Sequence, residues 1–284
     1  MVRVLALVGL VMGVLVTSMI LYAGSRWDAG TARLRARLAA SRIPLRPVAY
    51  DPAELDSLPA PVQVYFRAVL EPGQPMIAGV HLRHTGTFNT SEASQRWVPF
   101  TSDQQVITKR PGFDWDARVV MLPGVEVRVH DAYVQGEGIL HVALLAMFPL
   151  VSQRGTPPLA EGELMRYLAE AAWYPTALLP SQGVRWEPMD PHAARATVTD
   201  RKVSASLVFR FGADGLIETV LAEKRARMVA GRTISTPWLG RWSDWQRLNG
   251  VRVPTRGEVS WLLPAGPLPY WRGGLTGIRY DVMQ

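Results

Sequence analysis

Twenty consecutive residues, Val4 to Ala23, carry no charge. A helix apolar on every side must be enclosed on every side. At 1.5 Å per residue this run makes a helix about 30 Å long, the thickness of the hydrocarbon core of a bilayer. A cleaved signal peptide has a shorter apolar core, about 7–15 residues, closed by a small-x-small site. Here the run is longer, and Ala23-Gly24-Ser25 is followed at once by Arg26. The sequence therefore predicts a retained anchor over residues 1–24, crossing the cell (inner) membrane once through residues 4–23. Tyr22 and Trp27 flank its end, where amphipathic rings suit the interface. Gly9 and Gly13 stand four apart, a spacing that lets two membrane helices approach and form a weak homodimer.

Charge is distributed unevenly. Residues 1–46 hold seven arginines and one acid, Asp28, whereas residues 47–284 hold 24 basic and 23 acidic residues. The large region is thus nearly neutral, which argues against a nucleic-acid partner. Residues 25–46 read as a basic juxtamembrane helix or linker, with Arg26, Arg33, Arg35 and Arg37 placed to face anionic headgroups. The same residues set an orientation. Only Arg3 precedes the anchor, so the positive-inside rule favours a cytoplasmic domain. Cysteine is absent, which removes disulfides, thiolate nucleophiles and Cys-ligated metals.

Residues 47–284 suit one globular domain. Helical periodicity is confined to two stretches. Val62, Tyr65, Phe66, Val69 and Leu70 form one face, and Leu159 to Trp173 carries Leu164, Tyr167, Leu168 and Ala171 on one stripe. Most other segments alternate with period two. Phe113, Trp115, Ala117 and Val119 share one face, with Asp114, Asp116 and Arg118 opposite. Gly212-Ala213-Asp214-Gly215 and Asn249-Gly250 are turn signals. Strands joined by short turns predict antiparallel pairing and an α+β fold. Two helices cannot cover some nine or ten strands, so the sheet is expected to curve into a half-barrel with a concave apolar surface.

Motifs for common chemistries are missing. There is no G-x-S-x-G, no phosphate loop, no dinucleotide loop and no H-E-x-x-H. His81 and His84 point to opposite faces of a strand, and the remaining histidines show no ligand spacing, so neither a metal site nor a cofactor is expected. No catalytic residue is assigned. Asp114, Asp116 and Glu258 are the carboxylates that would do acid–base work, but Asp114 and Asp116 read as the solvent face of an amphipathic strand. The aromatics point instead to a ligand groove formed by Trp173, Tyr174, Trp238, Trp242, Trp245, Trp261, Tyr270 and Trp271. Leu262 to Trp271 is apolar and Pro-rich, and reads as a loop for membrane or partner contact.

The stretches Leu58 to Val62, Tyr65 to Leu70, Gly162 to Pro180 and Pro237-Trp238 resemble a bacterial family of membrane-anchored proteins with no established reaction. That resemblance brings no catalytic residues. The strand–turn–strand pattern from Phe209 to Arg227 is similar to the curved-sheet lipoprotein carriers of the LolA/LolB type. This second resemblance implies an open half-barrel that takes an acylated ligand outside the cytoplasm, on the side the charge bias disfavours. Together these readings lead to a membrane-anchored, non-catalytic domain that binds a lipid or other apolar ligand. A partner-binding scaffold and an enzyme on a lipid-like substrate are the alternatives.

Overall fold

A computed structural model describes residues 1–92, 94–229 and 231–282. Helix α1 spans Val2–Ala40 without a break. The expected boundary between anchor and basic linker therefore has no counterpart in the backbone. After it, Asp51 caps a short 3-10 turn, Pro52–Leu55, by accepting from the Ala53 amide. Helix α2 (Ala60–Val69) follows, burying Val62, Tyr65, Phe66 and Val69, the face that the 3.6-residue period predicts.

The next strands are β1 (Ile77–Asn89), β2 (Trp97–Ile107), β3 (Gly112–Leu122), β4 (Val125–Val134), β5 (Glu137–Leu144) and β6 (Phe148–Arg154). Helix α3 (Pro157–Glu170) and three 3-10 turns lead to β7 (Arg185–Asp190), β8 (Ala193–Asp200) and β9 (Val203–Phe211). The chain closes with β10 (Ile217–Val229), β11 (Arg232–Leu248), β12 (Val251–Leu263) and β13 (Gly266–Val282). Among the described residues these make one antiparallel sheet of thirteen strands, ordered β6-β5-β4-β3-β2-β1-β13-β12-β11-β10-β9-β8-β7. Two meanders thus meet where β1 pairs with β13.

Helix α3 fixes the shape of this sheet. It touches β3, β4 and β5 on one wing and β9 and β10 on the other. In a flat sheet β5 and β9 would stand about 43 Å apart, at about 4.8 Å per strand. A helix about 10 Å across reaches both only if the sheet curls around it. The curl tightens where Gly86, Gly273 and Gly257 stand in register on three neighbouring strands. A Cβ on Gly86 would overlap the Arg272 carbonyl, and the rings of Trp271 and Trp242 lie over Gly273 and Gly257. Indoles replace the missing side chains on the inner face.

The Pro-rich run Leu262 to Trp271 is not a loop. It is the tip of the β12–β13 hairpin, with Leu262 opposite Pro267 and Trp261 opposite Leu268. A register shift beside Ser260 accommodates the prolines, and Trp261 stacks on Tyr270 at 5.8 Å.

Candidate functional site

Period-two alternation sends every second side chain of each strand into the curl. The half nearest the β3–β4, β5–β6 and β10–β11 hairpins is not filled. There the inner side chains enclose a cavity of about 560 Å³. Its walls are Phe88, Trp115, Val119, Met121, Val127, Val129, Leu140 and Val142 on one wing, and Trp238, Trp242, Val259, Trp261, Tyr270 and Trp271 on the other. The opposite half is packed solid. Tyr65 and Phe66 of α2 meet Phe211 at 5.7 Å and Trp186 at 6.4 Å there.

Six of the eight aromatics expected in a groove line this cavity: Trp173, Trp238, Trp242, Trp261, Tyr270 and Trp271. The other two lie elsewhere. Tyr174 is buried, and its hydroxyl donates to the Tyr167 carbonyl at 2.8 Å. Trp245 packs edge-on to Tyr65 at 6.3 Å.

One side of the cavity is ionic. Glu163, Arg166 and Glu170 stand at i, i+3 and i+7 on α3 and face the sheet together. Arg166 pairs with Asp131 at 2.6 Å and with Glu170 at 2.7 Å. Its guanidinium also lies 4.9 Å from the ring centres of Phe113 and Trp115. Gln104 donates to Glu170 at 2.6 Å, and Arg225 reaches Glu163 at 3.6 Å while covering Trp238 at 4.8 Å. Burial, and next the neighbouring Asp131 carboxylate, push Glu163 well above the ordinary carboxyl range. Arg166 and Arg225 thus stand with Asp131, Glu163 and Glu170 in an otherwise apolar wall. The indole N–H of Trp242 is buried without a partner. Burial holds His84, which faces Trp173 at 4.8 Å, down to about 3, so it is neutral.

The sequence reading missed this cluster. Its signal was the charged spacing on α3, which in one dimension is the same as a solvated helix face.

On the outer face of the sheet the last four turns of α1 are seated on β3, β4 and β5. Trp27 stacks on His130 at 4.3 Å and on His141 at 5.3 Å, and its indole donates to Asp116 at 3.1 Å. Thr31 lies 3.2 Å from Asp116 and 2.6 Å from His130. Arg35 bridges Asp114 and Asp103, each at 2.8 Å. Arg37 pairs with Glu137 at 3.0 Å. Leu34 and Leu38 join Ile107, Ala132, Val134 and Ile139 in a small core of their own.

Two expectations are corrected here. Trp27 is 5% exposed and holds the sheet, as do Arg35 and Arg37; they do not face headgroups. Tyr22, Arg26 and Arg33 are exposed. Asp114 and Asp116 are not a solvent face, because α1 covers them and Asp114 is 0% exposed. Burial pushes the Asp114 carboxyl up to about 6, against the pull of Arg35. The third carboxylate, Glu258, sits in a half-exposed ion pair with Arg272 at 2.7 Å. Gly9 and Gly13 lie on the exposed part of α1 with nothing beside them.

A family model covers residues 56–280. The chain belongs to the family of unknown function DUF6920. It matches no curated protein. Among solved structures, this DUF6920 chain is similar to a LolA superfamily protein from Nitrosomonas europaea, with 12% identity, 72% of this chain and 87% of that one covered, and a TM-score of 0.40. A DUF1329 family protein from Desulfovibrio piger shares 13% identity over 83% of this chain and 95% of its own, with a TM-score of 0.38. A beta-barrel-like DUF1849 protein from Brucella abortus shares 12% identity over 72% of this chain and 99% of its own, at a TM-score of 0.21. At these scores no residue-level correspondence follows.

Proposed function

We propose that this DUF6920 chain is a single-pass membrane protein whose curved sheet binds a lipid or similar apolar ligand without chemically changing it. The observation that carries this reading is the cavity of about 560 Å³ walled by aromatic and aliphatic side chains. Small-molecule sites commonly fall between about 300 and 1,000 Å³ with such walls and a few polar groups. Here the acid of Glu163 and the free indole N–H of Trp242 are the hydrogen-bonding groups for the polar end of the ligand. Arg166, Asp131 and Glu170 are already paired with one another.

The anchor supports the same reading. The apolar side chains of α1 up to Tyr22 are exposed and have no partner among the described residues, and a bilayer would cover them. We place the domain on the cytoplasmic side, because the arginines that follow the span favour that orientation during insertion. A topology reporter fused after Gln284 is expected to be active in the cytoplasm; activity only outside it would reverse the orientation.

Binding is tested with a fluorescent fatty acid titrated into the detergent-dispersed chain. Val129 lines the cavity, and Val129→Trp fills space that the ligand needs. The variant is expected to weaken binding by about tenfold or more, since one lost contact of about 1.4 kcal/mol already gives that factor. Equal affinity in both chains would move the ligand out of this cavity.

A further inference from the structure

The direction in which α1 leaves the sheet has a consequence for how a ligand reaches the cavity. Read backwards from its C-terminal end, α1 advances along β3. Leu38 lies against Gly112, Arg35 pairs with Asp114, and Thr31 bonds Asp116. Trp27 then rests on His130 and His141 of the next two strands. From Gly112 to Asp116, β3 runs toward its turn with β4 at Pro123-Gly124. The apolar span therefore departs on the hairpin side of the sheet, not on the side closed by α2.

No linker separates span and sheet. Ala23, the last residue of the span, is itself 8% exposed against the domain, and α1 continues without a break. The hairpin end must then lie beside the membrane that holds the span. That end is also where the cavity lies. Phe88, Met121, Val127, Met228 and Tyr270, all among its walls, stand at the hairpin ends of their strands.

The rim at this end is apolar and uncovered. Leu122 is 59% exposed, Phe148 53%, Leu150 59%, Met228 50% and Ile234 47%. These five side chains come from three different hairpins. Leu150 and Met228 belong to both rim and cavity wall, so apolar side chains connect the rim to the cavity. Clustered large apolar side chains left in water mark a contact surface.

We infer that the rim of the curved sheet is inserted into the surface of the bilayer that anchors the chain, and that the cavity takes its ligand directly from that bilayer through this mouth. The inference rests on the proposed anchor and lipid cavity, and it adds the entry route and the face that meets the membrane. The occupant of the rim is the acyl region of the same leaflet.

The chain has no cysteine, which allows single labels without background. Leu122→Cys and Phe148→Cys, each carrying a fluorophore, probe the rim of the full chain in phosphatidylcholine–phosphatidylglycerol vesicles doped with nitroxide lipid. Asn249→Cys and Asp214→Cys, on exposed turns at the opposite end, are the far controls, and Val14→Cys reports on the span. The expected result is that Leu122 and Phe148 probes lose most of their fluorescence, as Val14 does, while Asn249 and Asp214 probes keep theirs. Quenching at Val14 with none at Leu122 and Phe148, or with more at Asn249 and Asp214, overturns the inference and leaves the anchor standing. A Val14 probe that is not quenched overturns the anchor itself, and the membrane-facing mouth with it.

Discussion

An Arg166→Met chain is expected to lose about 3–5 kcal/mol of stability, the cost of breaking a buried ion pair by removing one partner. Arg166 is held by both Asp131 and Glu170, at 2.6 and 2.7 Å. Methionine keeps most of the volume and the contact with Phe113 and Trp115, so the loss reports charge and not a hole. Two carboxylates would be left against the apolar wall of the cavity. Glu163→Gln is the contrasting change. Burial and the neighbouring Asp131 already favour the protonated form of Glu163, and an amide of the same shape replaces it at less than about 1 kcal/mol. Urea unfolding followed by circular dichroism measures both. Similar small losses in the two variants would mean that Arg166 does not hold Asp131 and Glu170 as buried charges.

Arg35→Met is expected to cost about 3 kcal/mol at neutral pH, again because it strands a buried charge. The charge is Asp114, 0% exposed beneath α1. Its pH dependence distinguishes this cause from lost packing. In the native chain Asp114 is already raised, from the ordinary 3.8 to about 6. A carboxyl whose folded value is raised contributes most below its unfolded value and loses that contribution as pH rises through the folded one. Without Arg35 the folded value climbs further. The penalty of Arg35→Met is therefore expected to shrink steadily as pH falls from 7 toward 4, while Asp114 takes up its proton. Adding Asp114→Asn to Arg35→Met is expected to restore most of the loss at pH 7. His84 and His130, held down to about 3 and about 4 by burial, slope the other way with pH. The His84 contribution cancels when each variant is compared with the native chain at the same pH, whereas Arg35 is among the charges that lower His130, so the Asp114→Asn background is what isolates Asp114. A penalty that does not change with pH would assign the effect to packing of α1.

Particular residues show what a one-dimensional reading reaches. The alternation of Phe113, Trp115, Ala117 and Val119 is local, and the structure turns those four inward as β3. Asn249-Gly250 makes a tight turn between β11 and β12, with both residues at positive φ. Curvature was legible because two helices cannot cover so many strands. The groove aromatics were largely legible, since Trp238 and Trp242, an even number of residues apart on β11, share one face of that strand. Three things were hidden. Asp114 and Asp116 look solvated until a helix some eighty residues away in sequence covers them. Trp27 looks like an interface residue, because nothing near it announces His130 and His141. Arg166 and Glu163 look like a surface stripe, because their partners Asp131 and Arg225 come from both wings of the curl. In each case the missing information was a long-range contact, which composition and spacing do not carry.

The central claim is that the cavity holds a lipid. Native mass spectrometry of the full chain, released from mild detergent after purification from membranes, tests it most directly, with Val129→Trp as the comparison. One discrete lipid mass is expected on the native chain, with its loss from the variant. A bare native chain, or the same adduct on both proteins, would contradict it.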